Sequence, residues 1–90
     1  MLPLIWLPKA LDGLEEIIAY VEVRNPEAAQ KLRQRIEQVV ELLPEHPYMF
    51  RPGRVAGTRE AVAHPNYLVI YQVSEIIEVV AVLHARQRYP

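Results

Sequence analysis

The segment YLVIYQVSEIIEVVAVLHA, residues 67–85, contains two runs rich in β-branched and aromatic side chains, Tyr67–Val73 and Ile76–Ala85, separated by the polar pair Ser74-Glu75. This composition predicts two antiparallel strands joined at a tight hairpin tip. The second run is the most apolar stretch of the chain, which predicts a central strand covered on both faces. Side chains alternate across a strand. Ile76, Val80, Val82, His84 and Arg86 therefore share one face, and Ile77, Val79, Ala81, Leu83 and Ala85 the other. We assign the wholly apolar second set to covering helices. The first set then forms an open face, apolar at one end and basic at the other.

Upstream, His64-Pro65-Asn66 has the composition of a turn, and Arg54 to Ala63 is β-compatible, giving a third strand. From Glu45 to Gly53, after Pro44, the residues Pro47, Pro52 and Gly53 break all periodicity and predict a loop. Tyr48, Met49 and Phe50 are suited to pin that loop onto the body. Earlier still, Ala28, Leu32, Ile36, Val39, Val40 and Leu43 recur at helical spacing, after the cap Asn25, the first-turn Pro26 and the carboxylate of Glu27. Pro44 stops this helix. Leu11, Leu14, Ile17, Ile18 and Val21 mark another helix from about Pro8 to Glu22. The short gap between the two favours an antiparallel helical hairpin. Leu4–Leu7 forms an opening strand. The predicted fold is α+β: an N-terminal strand, an antiparallel helical hairpin, then three antiparallel strands, with the hairpin against one face of the sheet.

Ninety residues allow one domain, spanning 1–90, and a core too small to spare room for a large cofactor cavity. Hydrophobic residues at 51% and charged residues at 23% exclude a disordered chain. The absence of cysteine excludes disulfides, thiolate metal sites and a cysteine nucleophile, and fits a cytoplasmic protein. The apolar N-terminus is far shorter than the ~20 residues of a membrane span, so no membrane association is expected. A net charge of −1 disfavours strong non-specific nucleic-acid binding, yet the charge is uneven. Residues 1–50 hold five Lys and Arg against eight Asp and Glu; residues 51–90 hold five Arg against three Glu.

The C-terminal half carries Gly53-Arg54, Gly57-Thr58-Arg59-Glu60, His64-Pro65-Asn66-Tyr67, Val69-Ile70-Tyr71 and Val82-Leu83-His84-Ala85-Arg86-Gln87, with Tyr89-Pro90. Together these strings resemble the pattern of the RelE/ParE toxin superfamily. Ala28-Ala29 and Leu43-Pro44 in the helical part are similar in layout. The resemblance implies the RelE/ParE-like fold and a toxin held inactive by a cognate antitoxin protein. It implies one of two targets: DNA gyrase, blocked by ParE-like members, or mRNA in the ribosome, cut by RelE-like endonucleases. An RNase that uses the 2′-hydroxyl needs proton acceptors and donors and cations around the phosphate. Arg51, Arg54, Arg59 and Arg86 are candidate phosphate ligands, and Tyr89 stands near the position of the family's C-terminal tyrosine. Leu68, however, occupies a middle-strand position where a RelE-type enzyme typically carries arginine, and no lysine lies beyond Lys31. The resemblance therefore favours the ParE branch.

Three candidate sets follow. The gyrase-binding residues are Arg86, Gln87, Arg88 and Tyr89. The alternative nuclease would use Arg59, His84, Arg86 and Tyr89, although a strand-end histidine bonded to backbone is the simpler reading of His84. Antitoxin binding is assigned to the open-face residues Ile76, Val80 and Val82, with Arg59, because exposed apolar patches mark interfaces. Arg59 is otherwise read as half of a surface ion pair with Glu60. His46 and His64 lie in proline turns without partners at ligand spacing, so no metal and no cofactor is expected. A third possibility is a degenerate member that only binds its antitoxin.

Overall fold

The computed structural model describes residues 1–90 and contains seven elements: β1 (Leu4–Trp6), α1 (Pro8–Arg24), α2 (Pro26–Leu42), β2 (Arg51–Pro52), β3 (Thr58–His64), β4 (Tyr67–Val73) and β5 (Ile77–His84). They form one sheet in the order β1-β5-β4-β3-β2, with β1 parallel to β5 and the other pairs antiparallel. The predicted architecture is present, with β5 an interior strand between β1 and β4, and β4 in the middle of the sheet. No helix is long and apolar enough to cross a membrane.

Local sequence sets the helical hairpin. Asn25 alone separates the helices: its N–H donates to the Val21 carbonyl at the end of α1, and its side-chain Oδ1 accepts from the Ala28 N–H at 3.1 Å to start α2. One residue thus closes one helix and caps the next, with Pro26 preset for the first turn. The first helix runs two residues beyond the expected Glu22. The Arg24 guanidinium sits 3.8 Å from the Tyr20 ring centroid and donates to the Tyr20 carbonyl, placing a cation at the negative end of the helix dipole. Arg33 of α2 and Glu15 of α1 form a two-point ion pair across the hairpin.

The helices cover one face of the sheet. Ala10, Leu14 and Ile18 of α1 and Ala29, Leu32, Ile36 and Val40 of α2 join Ala61, Ala63, Val69, Tyr71, Ile77, Val79 and Val82 in the main core. Gly13 brings α1 onto β5: a Cβ there would stand 2.7 Å from the Val82 carbonyl oxygen, inside van der Waals contact. Ala10 takes the buried place expected of Leu11, which is 44% exposed.

The expected alternation along β5 fails midway. Ile70 pairs with Ala81 but Tyr71 pairs with Val79, so β5 holds one extra residue, a β-bulge. Ile77 and Val79 face the helices as expected. Val80 and Ala81 then both face away, and the parity beyond them is reversed, so that Val82 joins the helix-side core while Leu83 packs on the second face. Two further differences are local. Thr58 begins β3 four residues later than expected, because Gly57 turns the chain at a φ of 86°, a left-handed conformation that favours glycine. Arg51–Pro52, read as loop, forms a two-residue edge strand on β3.

Candidate functional site

The face away from the helices is not the open apolar patch expected of it. Leu68, Ile70, Val80 and Ala81 form a second buried cluster, roofed by Leu7, Leu83 and Tyr89. The C-terminal segment therefore folds back over the sheet, and Tyr89 serves as a cover for the cluster. The four residues assigned to antitoxin binding do not form one surface. Ile76 is half-buried in the β4–β5 turn, where its carbonyl accepts the Ser74 N–H. Val80 is buried in the second cluster, and the bulge carries Val82 to the opposite, helix-covered side.

Arg59 lies beneath the loop before β2. It donates to the Phe50 carbonyl at 2.7 Å and to the Tyr48 carbonyl at 3.5 Å, with its guanidinium 4.9 Å from the Tyr48 ring centroid. Glu60 pairs instead with Arg51, at 2.9 Å. Neighbouring residues on a strand point to opposite faces, which is why Arg59 and Glu60 do not meet. Tyr71 is a second strap on this loop, its hydroxyl donating to the Pro47 carbonyl at 2.9 Å. Burial pushes the Tyr71 phenol pKa up, while the nearby Arg59 guanidinium acts against it.

At the other end of the sheet β5 runs into a tight turn. The His84 N–H donates to Gln87 Oε1 at 2.8 Å, the Gln87 N–H returns to the His84 carbonyl at 2.9 Å, and the Arg86 N–H donates to His84 Nδ1 at 3.1 Å. The Ala85 N–H donates to the Asn66 carbonyl at 2.7 Å, tying this turn to the β3–β4 turn. An acceptor role for Nδ1 places the proton of the neutral imidazole on Nε2. The ring meets Tyr67 edge-on at 5.3 Å and faces Glu16, Ile17 and Tyr20 of α1. His64 packs on Tyr67 at 5.6 Å and uses its own Nδ1 in the same way, accepting the Asn66 N–H at 3.0 Å. Burial holds the His64 pKa below the usual histidine value, and the Arg35 guanidinium acts in the same direction.

Beyond the turn, Arg86, Gln87 and Arg88 are exposed, and neither arginine has an ion-pair partner. The structure thus presents two free guanidiniums and an amide next to the half-buried Tyr89. The nuclease set is not assembled. Arg59 is level with Tyr71 and His84 with Tyr67, four residues apart along β4 and so about 13 Å. Tyr89 packs on the second cluster and borders the start of α1 at Lys9, Asp12 and Gly13. Leu68 contributes to the second cluster. No three His, Asp or Glu side chains gather in a metal-ligating group. The roles of Gly13, Tyr67 and His64 were not anticipated.

The site is thus a cationic turn at the end of β5, on a sheet backed by a one-residue-linked helical hairpin. The family described as the ParE toxin of the type II toxin–antitoxin system parDE matches residues 4–89, and the chain belongs to it. It is 42% identical over 86 residues to Y4kP of Sinorhizobium fredii, a protein named as a toxin, covering 94% of this chain and 90% of that one. It is 32% identical over 88 residues to Toxin RelE2 of Caulobacter vibrioides, covering 94% and 97%. Among solved structures, a chain of the chromosomal ParDE system from P. aeruginosa superposes with a TM-score of 0.84 at 26% identity, covering 93% of this chain and 96% of that one. Membership implies an antitoxin as partner.

Proposed function

We propose that this toxin arrests growth by binding DNA gyrase through Arg86, Gln87, Arg88 and Tyr89, and that its cognate antitoxin prevents this binding. The observation that carries the reading is the pair of unpartnered guanidiniums on a turn fixed by backbone hydrogen bonds. Such a surface suits recognition of a macromolecule, where arginine and tyrosine supply much of the binding energy. The separation of Arg59 from His84 along β4 supports binding over catalysis, because general acid–base chemistry requires its groups within hydrogen-bond reach of the same substrate atoms.

The test is a supercoiling assay with purified, antitoxin-free protein, scoring lost supercoiling and trapped cleaved DNA. Inhibition by the native protein that disappears in Arg86→Ala is the expected outcome. The likeness to a toxin named RelE2 supports a second reading, ribosome-dependent mRNA cleavage. Gyrase left unaffected by the native protein, together with mRNA cut in a translating extract, would replace the first reading with the second.

A further inference from the structure

The His84 ring is oriented by the chain to hold a backbone amide, and this use of its lone pair has a consequence for the segment that follows. Nδ1 accepts the Arg86 N–H at 3.1 Å, while the backbone of His84 exchanges two hydrogen bonds with Gln87. Both residues belong to the proposed target surface. The ring meets Tyr67 edge-on and borders a shallow pocket with Glu16, Ile17 and Tyr20 of α1. A histidine nitrogen accepts a hydrogen bond only while unprotonated; the imidazolium is a donor at both nitrogens.

We propose that His84 is a positioning residue, a proton-sensitive latch that fixes the Arg86–Tyr89 segment when its imidazole is neutral and releases it when Nδ1 is protonated. The inference rests on the reading of Arg86–Tyr89 as the target surface for its functional meaning, but the latch itself is a property of the free protein. A second histidine of the same geometry stands beside it. His64 Nδ1 holds the Asn66 N–H, and the Asn66 carbonyl in turn accepts the Ala85 N–H. The two latches are thus joined by one backbone bond and share the Tyr67 ring.

The charged and titratable groups facing the pair are Glu16 and Tyr20 from α1, Tyr67 from β4, Arg35 from α2 on the His64 side, and Arg86 on the tail. Burial, and then Arg35, lower the His64 pKa. The sign for the latch follows. The segment is held while Nδ1 keeps its lone pair and freed on its protonation, so it loosens as pH falls.

The variants that separate the ring from its lone pair are His84→Asn, whose side-chain oxygen can accept the Arg86 N–H, and His84→Phe, which keeps an aromatic ring against Tyr67 without an acceptor. Amide exchange of Arg86, corrected for intrinsic rates, is read by NMR between pH 5 and 8, with the Tyr71 amide as a control for global folding. The native protein should lose protection of Arg86 as pH falls. His84→Asn should keep it without pH dependence, and His84→Phe should exchange about tenfold faster at every pH, the factor corresponding to one net hydrogen bond. Protection in the native protein that is constant from pH 5 to 8, or His84→Asn exchanging as fast as His84→Phe with Tyr71 still protected, would overturn the latch. The same variants in the supercoiling assay distinguish the two readings. Exchange as expected, with gyrase inhibition indifferent to all variants, supports the latch and removes Arg86–Tyr89 as the target surface.

Discussion

The two faces of the sheet are buried by different means. One is covered by two seventeen-residue helices that contribute seven fully buried side chains. The other is closed over four buried residues by three partly buried ones, Leu7, Leu83 and Tyr89, from chain segments outside any helix. The first cover is rigid because the hairpin is capped, ion-paired and brought into backbone contact at Gly13. In the second, Leu83 is fixed within β5 and Leu7 by its N–H bond to the Val79 carbonyl, whereas Tyr89, beyond the end of β5, is held by side-chain packing and the turn before it. A cover that depends on one tail residue can settle into a void more readily than one made of packed helices. The same chain therefore has a fixed side and an adjustable side, with the exposed arginines attached to the adjustable one.

The most direct way to break that contrast compares two isoleucines of equal burial. Ile36 lies beneath the helices at 0% exposure and Ile70 on the second face at 1%. Truncation of a buried isoleucine costs about 2–5 kcal/mol, and the spread reflects how well the site collapses. Ile36→Ala should fall at the upper end and Ile70→Ala at the lower end in urea unfolding; equal costs would show the two covers to be equally stiff. Next in size, Tyr89→Ala should cost about 1–2 kcal/mol, as expected for a partly buried aromatic. It should also expose the second cluster to an apolar fluorescent dye, and unchanged dye binding would remove Tyr89 as its cover.

Tyr71→Phe probes the fixed side at its margin. Loss of the bond to the Pro47 carbonyl should cost about 1 kcal/mol. In the native protein the Tyr71 phenol should be the last tyrosine to ionise in a spectrophotometric titration, because burial raises its pKa. The smallest effect concerns pH. With the folded-state pKa of His64 lowered, the unfolded chain binds the proton more readily, so stability falls as pH drops from the unfolded value near ~6.5 through the lowered folded one. Replacing His64 with Asn, which preserves an acceptor for the Asn66 N–H, should flatten that part of the stability profile; an unchanged slope would assign it to another group.

Much of this arrangement was legible in the sequence because it is specified locally. Asn25-Pro26-Glu27 fixes the start of α2, Pro44 lies just past its end, and the two β-rich runs flank a polar tip. The bulge was not legible. Val79-Val80-Ala81-Val82 is apolar at every position, so nothing in the residue types marks where the alternation skips. That one extra residue misassigned Val82, His84, Ala81 and Leu83 together. The edge pairing of Arg51–Pro52 was hidden for a different reason: it depends on where β3 lies, not on strand propensity. At the candidate site, the exposed cations followed from charge and position, whereas the bond between His84 Nδ1 and the Arg86 N–H depends on a turn conformation that composition does not encode.

The parallel pairing of β1 with β5 joins Leu4 to Ile77 and Trp6 to Val79, nearly the full span of the polypeptide. β5 follows every other element in chain order, yet α1, β1 and β4 all pack or pair against it. Closing so long a loop is entropically costly, and contacts of this separation form slowly. During synthesis the helical hairpin emerges first and has no sheet to bury its apolar stripe. The sheet therefore cannot close over the helical hairpin until β5 has left the ribosome.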